Sequence, residues 1–148
     1  MTYTTSARAD VRSALKTALE AFQAANPTLL THTYRARPGS LTPPSAFIGT
    51  WSERVVLDMQ LGTRLPTLEV VLVQGTYDNA ESMDRADVLA DAFISYFGDG
   101  SHSRLGPAVI LTMDTDDSEV TLTGANGSSA DYLTTVVRFG LDIQQGGI

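Results

Sequence analysis

The chain contains no cysteine, which excludes disulfides and thiolate-bound metals. Histidine is nearly as scarce. His32 and His102 are the only two, they are distant in sequence, and no local pattern gives either one the nucleophile and orienting partner that catalysis needs. The serines Ser40, Ser101, Ser103, Ser128 and Ser129 fall in loop-like stretches, and none sits in G-x-S-x-G. No apolar run approaches the roughly 20 residues that a membrane-crossing helix requires. The opening MTYTTSARAD lacks the basic start and apolar centre of a signal peptide, so a soluble protein that stays in the cytoplasm where it is made is expected. Basic residues are also in deficit, with ten Lys and Arg against seventeen Asp and Glu and a formal charge of −7. That balance opposes nucleic-acid binding through counterion release, and an acidic wall would let DNA slide past without sticking.

What is present is an ordinary globular composition, 148 residues with 43% apolar, enough for one core in one domain spanning 1–148. Ser6 is suited to cap a helix over 7–25, because Val11, Ala14, Leu15, Ala18, Leu19 and Phe22 recur at helical spacing. Asn26-Pro27 ends it. Residues 29–37, LLTHTYRAR, predict a half-exposed or edge strand, since neither face is purely apolar. PGSLTPPS at 38–45 holds three of the six prolines and predicts an exposed, stiffened loop that is a candidate contact surface.

A short strand around 46–52 carries the only tryptophan, Trp51. Residues 54–61 alternate as a strand with Val55, Leu57, Met59 and Leu61 on a buried side, and 62–66 make a connection. The stretch 68–97, LEVVLVQGTYDNAESMDRADVLADAFISYF, is the most informative. Residues 67–74, at its start, are apolar on both faces except at Glu69 and predict a central strand covered on each side. Asp78 and Glu81 then form a capping-box-like start. Ala86, Leu89, Ala90, Phe93, Ile94 and Phe97 make one helical stripe, Asp84, Asp87 and Asp91 another, and Gly98 is placed to close the helix as a left-handed cap. A lone glycine, Gly75, between strand and helix is no phosphate cradle, since Asp78 and Glu81 would repel an anion there.

Residues 99–106 read as a polar linker. The runs 108–113 and 119–123 predict a hairpin whose acidic tip is Asp114, Asp116 and Asp117 with Thr115. The tip begins like a calcium loop, but the glycine expected at its sixth position is Glu119, so a solvated turn is expected rather than a metal site. A permissive loop at 124–130 leads to residues 132–143, whose clean two-residue period predicts a strand inside the sheet. Residues 144–148 read as a mobile tail. The fold class expected is α+β, with a mixed, mainly antiparallel sheet of about six to seven strands and two helices packed on it.

No cofactor, metal or catalytic residue is expected. Arg35, Arg37, Arg54 and Arg64 gather around the proline loop, whereas acidic residues concentrate later. Solvated surface charge is the plain interpretation. The functional interpretation is a complementary interface, the basic edge of one subunit meeting the acidic helix or hairpin of the next, with Leu41 and Trp51 as anchors. Its candidate residues are Arg35, Arg37, Leu41, Trp51, Asp84, Asp87, Asp91, Asp114, Asp116 and Asp117.

The element order, with VRSALKTALEAF as opening helix, RVVLDMQL and TLEVVLVQG as paired strands, ADVLADAFISYF as covering helix and YLTTVVRFGLDI as closing strand, resembles the tail terminator proteins of long-tailed bacteriophages, also described as tail completion or minor tail proteins. The resemblance implies a structural virion protein in the tail, assembled in the host cytoplasm. It implies a six-membered ring on the head-proximal end of the tail tube that ends tube polymerisation and offers a surface for head joining. Its implied partners are copies of itself, the tail tube protein and a head-completion or connector protein, with DNA only passing through the lumen and no membrane. It implies neither cofactor nor catalysis, and no residue role is carried over from it. The alternatives are a head–tail connector or adaptor neck protein and a small-molecule-binding or enzymatic α+β domain.

Overall fold

A computed structural model describes residues 7–57, 62–76, 80–123, 127 and 129–143. The Ser6 cap, the Asp78 capping box, most of the 124–130 loop and the 144–148 tail lie outside the described residues. In chain order the elements are α1 (Ala7–Ala25), β1 (His32–Tyr34), β2 (Ser45–Leu57), β3 (Gly62–Thr76), α2 (Ala80–Gly98), β4 (Arg104–Leu105), β5 (Ala108–Thr123) and β6 (Ser129–Ile143). The six strands form one sheet in the order β1-β2-β3-β6-β5-β4. The fold is α+β, and every pairing is antiparallel except that of β1 with β2.

Both helices lie on one face of the sheet because each offers a single apolar stripe. Val11, Leu15, Leu19 and Phe22 of α1 and Leu89, Phe93 and Phe97 of α2 share a core with Leu68, Val70 and Leu72 of β3 and Val137, Phe139 and Leu141 of β6. Edge-to-face contact of Phe22 with Phe93, at 5.4 Å between centroids, joins the two helices, and Phe93 stacks on Phe139 at 5.9 Å. Each such side chain contributes about 1.5–3 kcal/mol by leaving water, which makes this cluster the main source of stability. α1 touches both ends of the strand order. Lys16 donates to Thr33 of β1 at 3.1 Å, while Gly106, next to β4, lies so close to α1 that an added Cβ would sit 3.4 Å from the Ala14 methyl. The sheet therefore curls around its helices.

The helix-free face carries a smaller core of Leu41, Phe47, Val73, Leu122 and Tyr132. Leu41 comes from the proline loop, which folds back so that Leu41 is buried on this face; the Pro43-Pro44 peptide in it is cis. This return is also how β1 reaches β2 in parallel without a helical crossover.

Several expectations need correction. The 29–37 strand shortens to His32–Tyr34, an edge strand as expected, because only three residues find partners on β2. The runs 46–52 and 54–61 are one strand through Leu57, bent by an extra residue between Ile48 and Trp51. Residues 62–66 are strand rather than connection. Pro66 is tolerated there because β6 pairs with β3 only from Thr67 on, so no β6 carbonyl waits for the missing N–H. Gly98 ends α2 without a positive φ. Gly100 takes that conformation instead, at φ 87°, inside a turn where Asp99 accepts the N–H groups of Ser101 and His102. The 99–106 linker contains β4, and Leu105 is fully buried.

The largest correction concerns Asp114, Asp116 and Asp117. They are no hairpin tip, because β5 runs unbroken through them and pairs with β6 along its whole length. All three carboxylates are exposed to water, and Asp116 and Asp117 also accept from Arg138 and Thr135 across on β6, so acidity does not force a turn.

Candidate assembly surfaces

Four side chains meet where α1, β2 and β3 converge. Glu53 of β2 receives both a Nε and a Nη2 hydrogen bond from Arg64 across the ladder, the latter at 2.9 Å, and the Trp51 indole donates to it at 2.8 Å. Arg8 of α1 reaches it at 3.2 Å while its guanidinium lies 5.4 Å from the Trp51 ring centroid. Only 6% of the Glu53 side chain is exposed, covered by the groups that bind it rather than by the core. Arg64's hydrogen bonds come first, then the indole donor and the two positive charges, and against the cost of desolvation they hold the carboxyl down at about 2 from an ordinary 4.5. The cluster is a lock and not an acid–base centre, since each oxygen is already committed.

Beyond the lock, β2 and β3 continue as a paired arm. Its register sets Val55 opposite Arg64 and Arg54 opposite Leu65. Val55, Val56, Leu57 and Leu65 are 50%, 39%, 83% and 48% exposed. Val55 and Leu57 were expected on a buried side, but the helices end short of them. Arg54 and Arg64 among these apolar residues were the available sign of an exposed hairpin.

Across the sheet, Arg138 of β6 faces Asp116 of β5 at 2.6 Å and Glu69 of β3 at 3.5 Å on the helix-free face. Asp117 points to the other side, accepting from the buried Thr135 at 2.9 Å. Strand alternation therefore separates Asp116 from Asp117, and these carboxylates do not converge on a cation. No group of three or more potential metal ligands occurs among the described residues. A shallow groove of about 380 Å³ on the same helix-free face is lined by Phe47, Val71, Val120 and Val136, with Arg37 and Glu69 at its rim.

The predicted interface residues fall in separate places. Arg35 is exposed and donates to Ser13 of α1 at 2.9 Å, and Arg37 borders the groove. Asp84, Asp87 and Asp91 lie exposed along α2, and Asp114, Asp116 and Asp117 lie exposed along β5. Trp51 is half-buried in the Glu53 lock. Leu41 is 2% exposed, so it anchors the chain's own second core and offers no surface to another subunit. His32 stacks beside Tyr34, and His102 stacks on Tyr96 at 3.9 Å with its Nδ1 near the Tyr96 carbonyl. His32 Nδ1 lies 3.0 Å from the hydroxyl of its neighbour Thr31, and His102 Nδ1 lies 3.3 Å from the Ser101 hydroxyl and 3.3 Å from Asp99, so each ring's polar contacts are exposed and local in sequence.

This chain shares its fold with a chain of a gene transfer agent virion. The solved structure is described as the virion of native gene transfer agent (GTA) particle, and the likeness covers 95% of this chain and 99% of that one at 13% identity and a TM-score of 0.51. At that identity the likeness is one of fold. No protein-family model and no curated protein sequence matches the chain.

Proposed function

We propose that this protein is a structural virion component that caps the head-proximal end of a phage tail tube as a ring, ends tube polymerisation and presents the surface for head joining. The observation that carries the proposal is the end-to-end fold likeness to a chain of a gene transfer agent virion. The exposed apolar arm and the segregated charges support it, because they are features of a subunit that meets copies of itself. In this proposal Arg35 and Arg37 on the β1–β2 connection face the acidic side chains of a neighbouring subunit, and DNA passes the acidic ring without being held. The protein acts without catalysis or cofactor, and its further partners are the tail tube protein and a head-completion or connector protein.

Electron microscopy of the purified protein mixed with tail tubes tests the proposal. Rings seated at one end of tubes of fixed length are expected, and loss of the protein should leave overlong tails without heads. Strict monomers that ignore tubes overturn it. Normal tails beside heads that leak DNA would assign the chain to a connector ring instead.

A further inference from the structure

Among the open hydrogen-bonding edges of the sheet within the described residues, the two longest belong to β5 and β2. β4 pairs only with Ala108 and Val109, and Ile110 adds one bond to Ser103, so β5 over 111–123 has β6 on one side and no strand on the other. On the far side of the strand order, β1 pairs only with residues 45–47 of β2, and Arg12 takes the Gly49 carbonyl. From Ser52 to Leu57 the outer edge of β2 meets no strand. An open edge is a template for another chain unless its side chains forbid it.

The side chains of these two edges are opposite in kind. β5 exposes Asp114, Asp116 and Asp117 in a row, whereas the arm exposes Arg54 with Val55, Val56, Leu57 and Leu65. Acidic residues repel a second β5 and thereby block edge pairing of like with like, yet they attract an arm that carries arginine. The alternation also agrees. Arg54 and Val56 lie on the helix-free face of the arm, and Asp114 and Asp116 lie on the helix-free face of β5, so continuing the sheet from one copy to the next sets arginine beside aspartate. The valines and leucines of the arm, 39–83% exposed, would be partly covered there.

We propose that the β2–β3 arm of one copy of this chain pairs along the outer edge of β5 of a second copy, extending the sheet from subunit to subunit. Each copy gives with one edge and receives with the other, which is a heterologous interface that closes into a ring or propagates as an open chain. The pairing deepens the ring proposal and rests on it only in that copies associate. It requires neither tube nor head.

The test measures sedimentation of the full chain, alone and with tail tubes, together with backbone hydrogen exchange along β5. Arg54→Asp and Asp114→Arg should each weaken association by about tenfold or more, and the double variant should restore it, all three melting like the parent. Amides over 111–118 should gain protection on association. Oligomers that form with unchanged exchange along β5, or a double variant as weak as the single ones, overturn the pairing and leave the ring proposal standing. Rescue by the double variant in open chains that never cap a tube supports the pairing and overturns the terminator role. A parent that stays monomeric with and without tubes overturns both.

Discussion

The two ends of the β2–β3 ladder differ in almost everything but their hydrogen bonds. At the inner end Ala46, Ile48, Val70 and Leu72 lie beneath the helices, and Phe47 and Val73 lie beneath the Leu41 patch, so both faces are covered. At the outer end the same two strands stay paired, one residue out of step with the inner end after the bulge between Ile48 and Trp51, while Val56, Leu57 and Leu65 face water. The Glu53 lock sits at the boundary. Pairing alone therefore does not require a core, but a two-stranded ribbon is marginal by itself, and the lock is what ties this one to α1. Stability belongs to the inner end, and the outer end is free to be used for contact.

The sharpest way to break that contrast is to empty the inner end. Phe139→Ala removes a fully buried ring that packs on both Phe93 and Phe97, and a loss of about 3–5 kcal/mol is expected in chemical denaturation. A loss below about 1 kcal/mol would mean that the helix-side core does not dominate. A change on the arm should never approach the larger value.

Much of the inner end was legible in the sequence, and the reason is periodicity. Val11, Leu15, Leu19 and Phe22 recur at helical spacing, and all four are fully buried. Val137, Phe139 and Leu141 alternate, and they join the helix-side core. What escaped is where alternation carries no information about cover. Val55 and Leu57 alternate as well as any core residue does, but whether a helix lies above them depends on where α1 and α2 end, which is a tertiary fact. The row at 114–117 misled for the complementary reason. Acidic residues usually mark turns, but on an outer strand one side faces water and β6 supplies Arg138 and Thr135 opposite. The Glu53 lock escaped because Arg8 and Arg64 come to Glu53 from other elements, and a charge pattern read along the chain does not see them meet.

A subtler cut is to open the lock and leave both ends intact. Glu53→Gln keeps the shape and discards the charge, leaving Arg64 to be solvated at 30% exposure, so a loss of about 1–2 kcal/mol is expected. The pH dependence has a definite sign. The folded carboxyl sits at about 2 and the unfolded one near 4.5, so its contribution is complete above pH 4.5 and fades as pH falls towards 2. Melting measured between those values should fall more steeply for the parent than for Glu53→Gln. Parallel curves would show that the lock contributes nothing.

The smallest effect on folding is expected at the tip, and there the comparison becomes one of function. Leu57 is 83% exposed, so Leu57→Ser should change stability by no more than about 0.5 kcal/mol in either direction. If its exposure is maintained for contact, the same substitution should reduce association measurably while the melting curve stays where it was. A variant that loses stability by as much as Phe139→Ala would place the arm inside the cooperative core. One that alters neither folding nor association would reduce Leu57 to an incidental surface residue, and would shift the weight of the contact onto Arg54 and the two valines beside it.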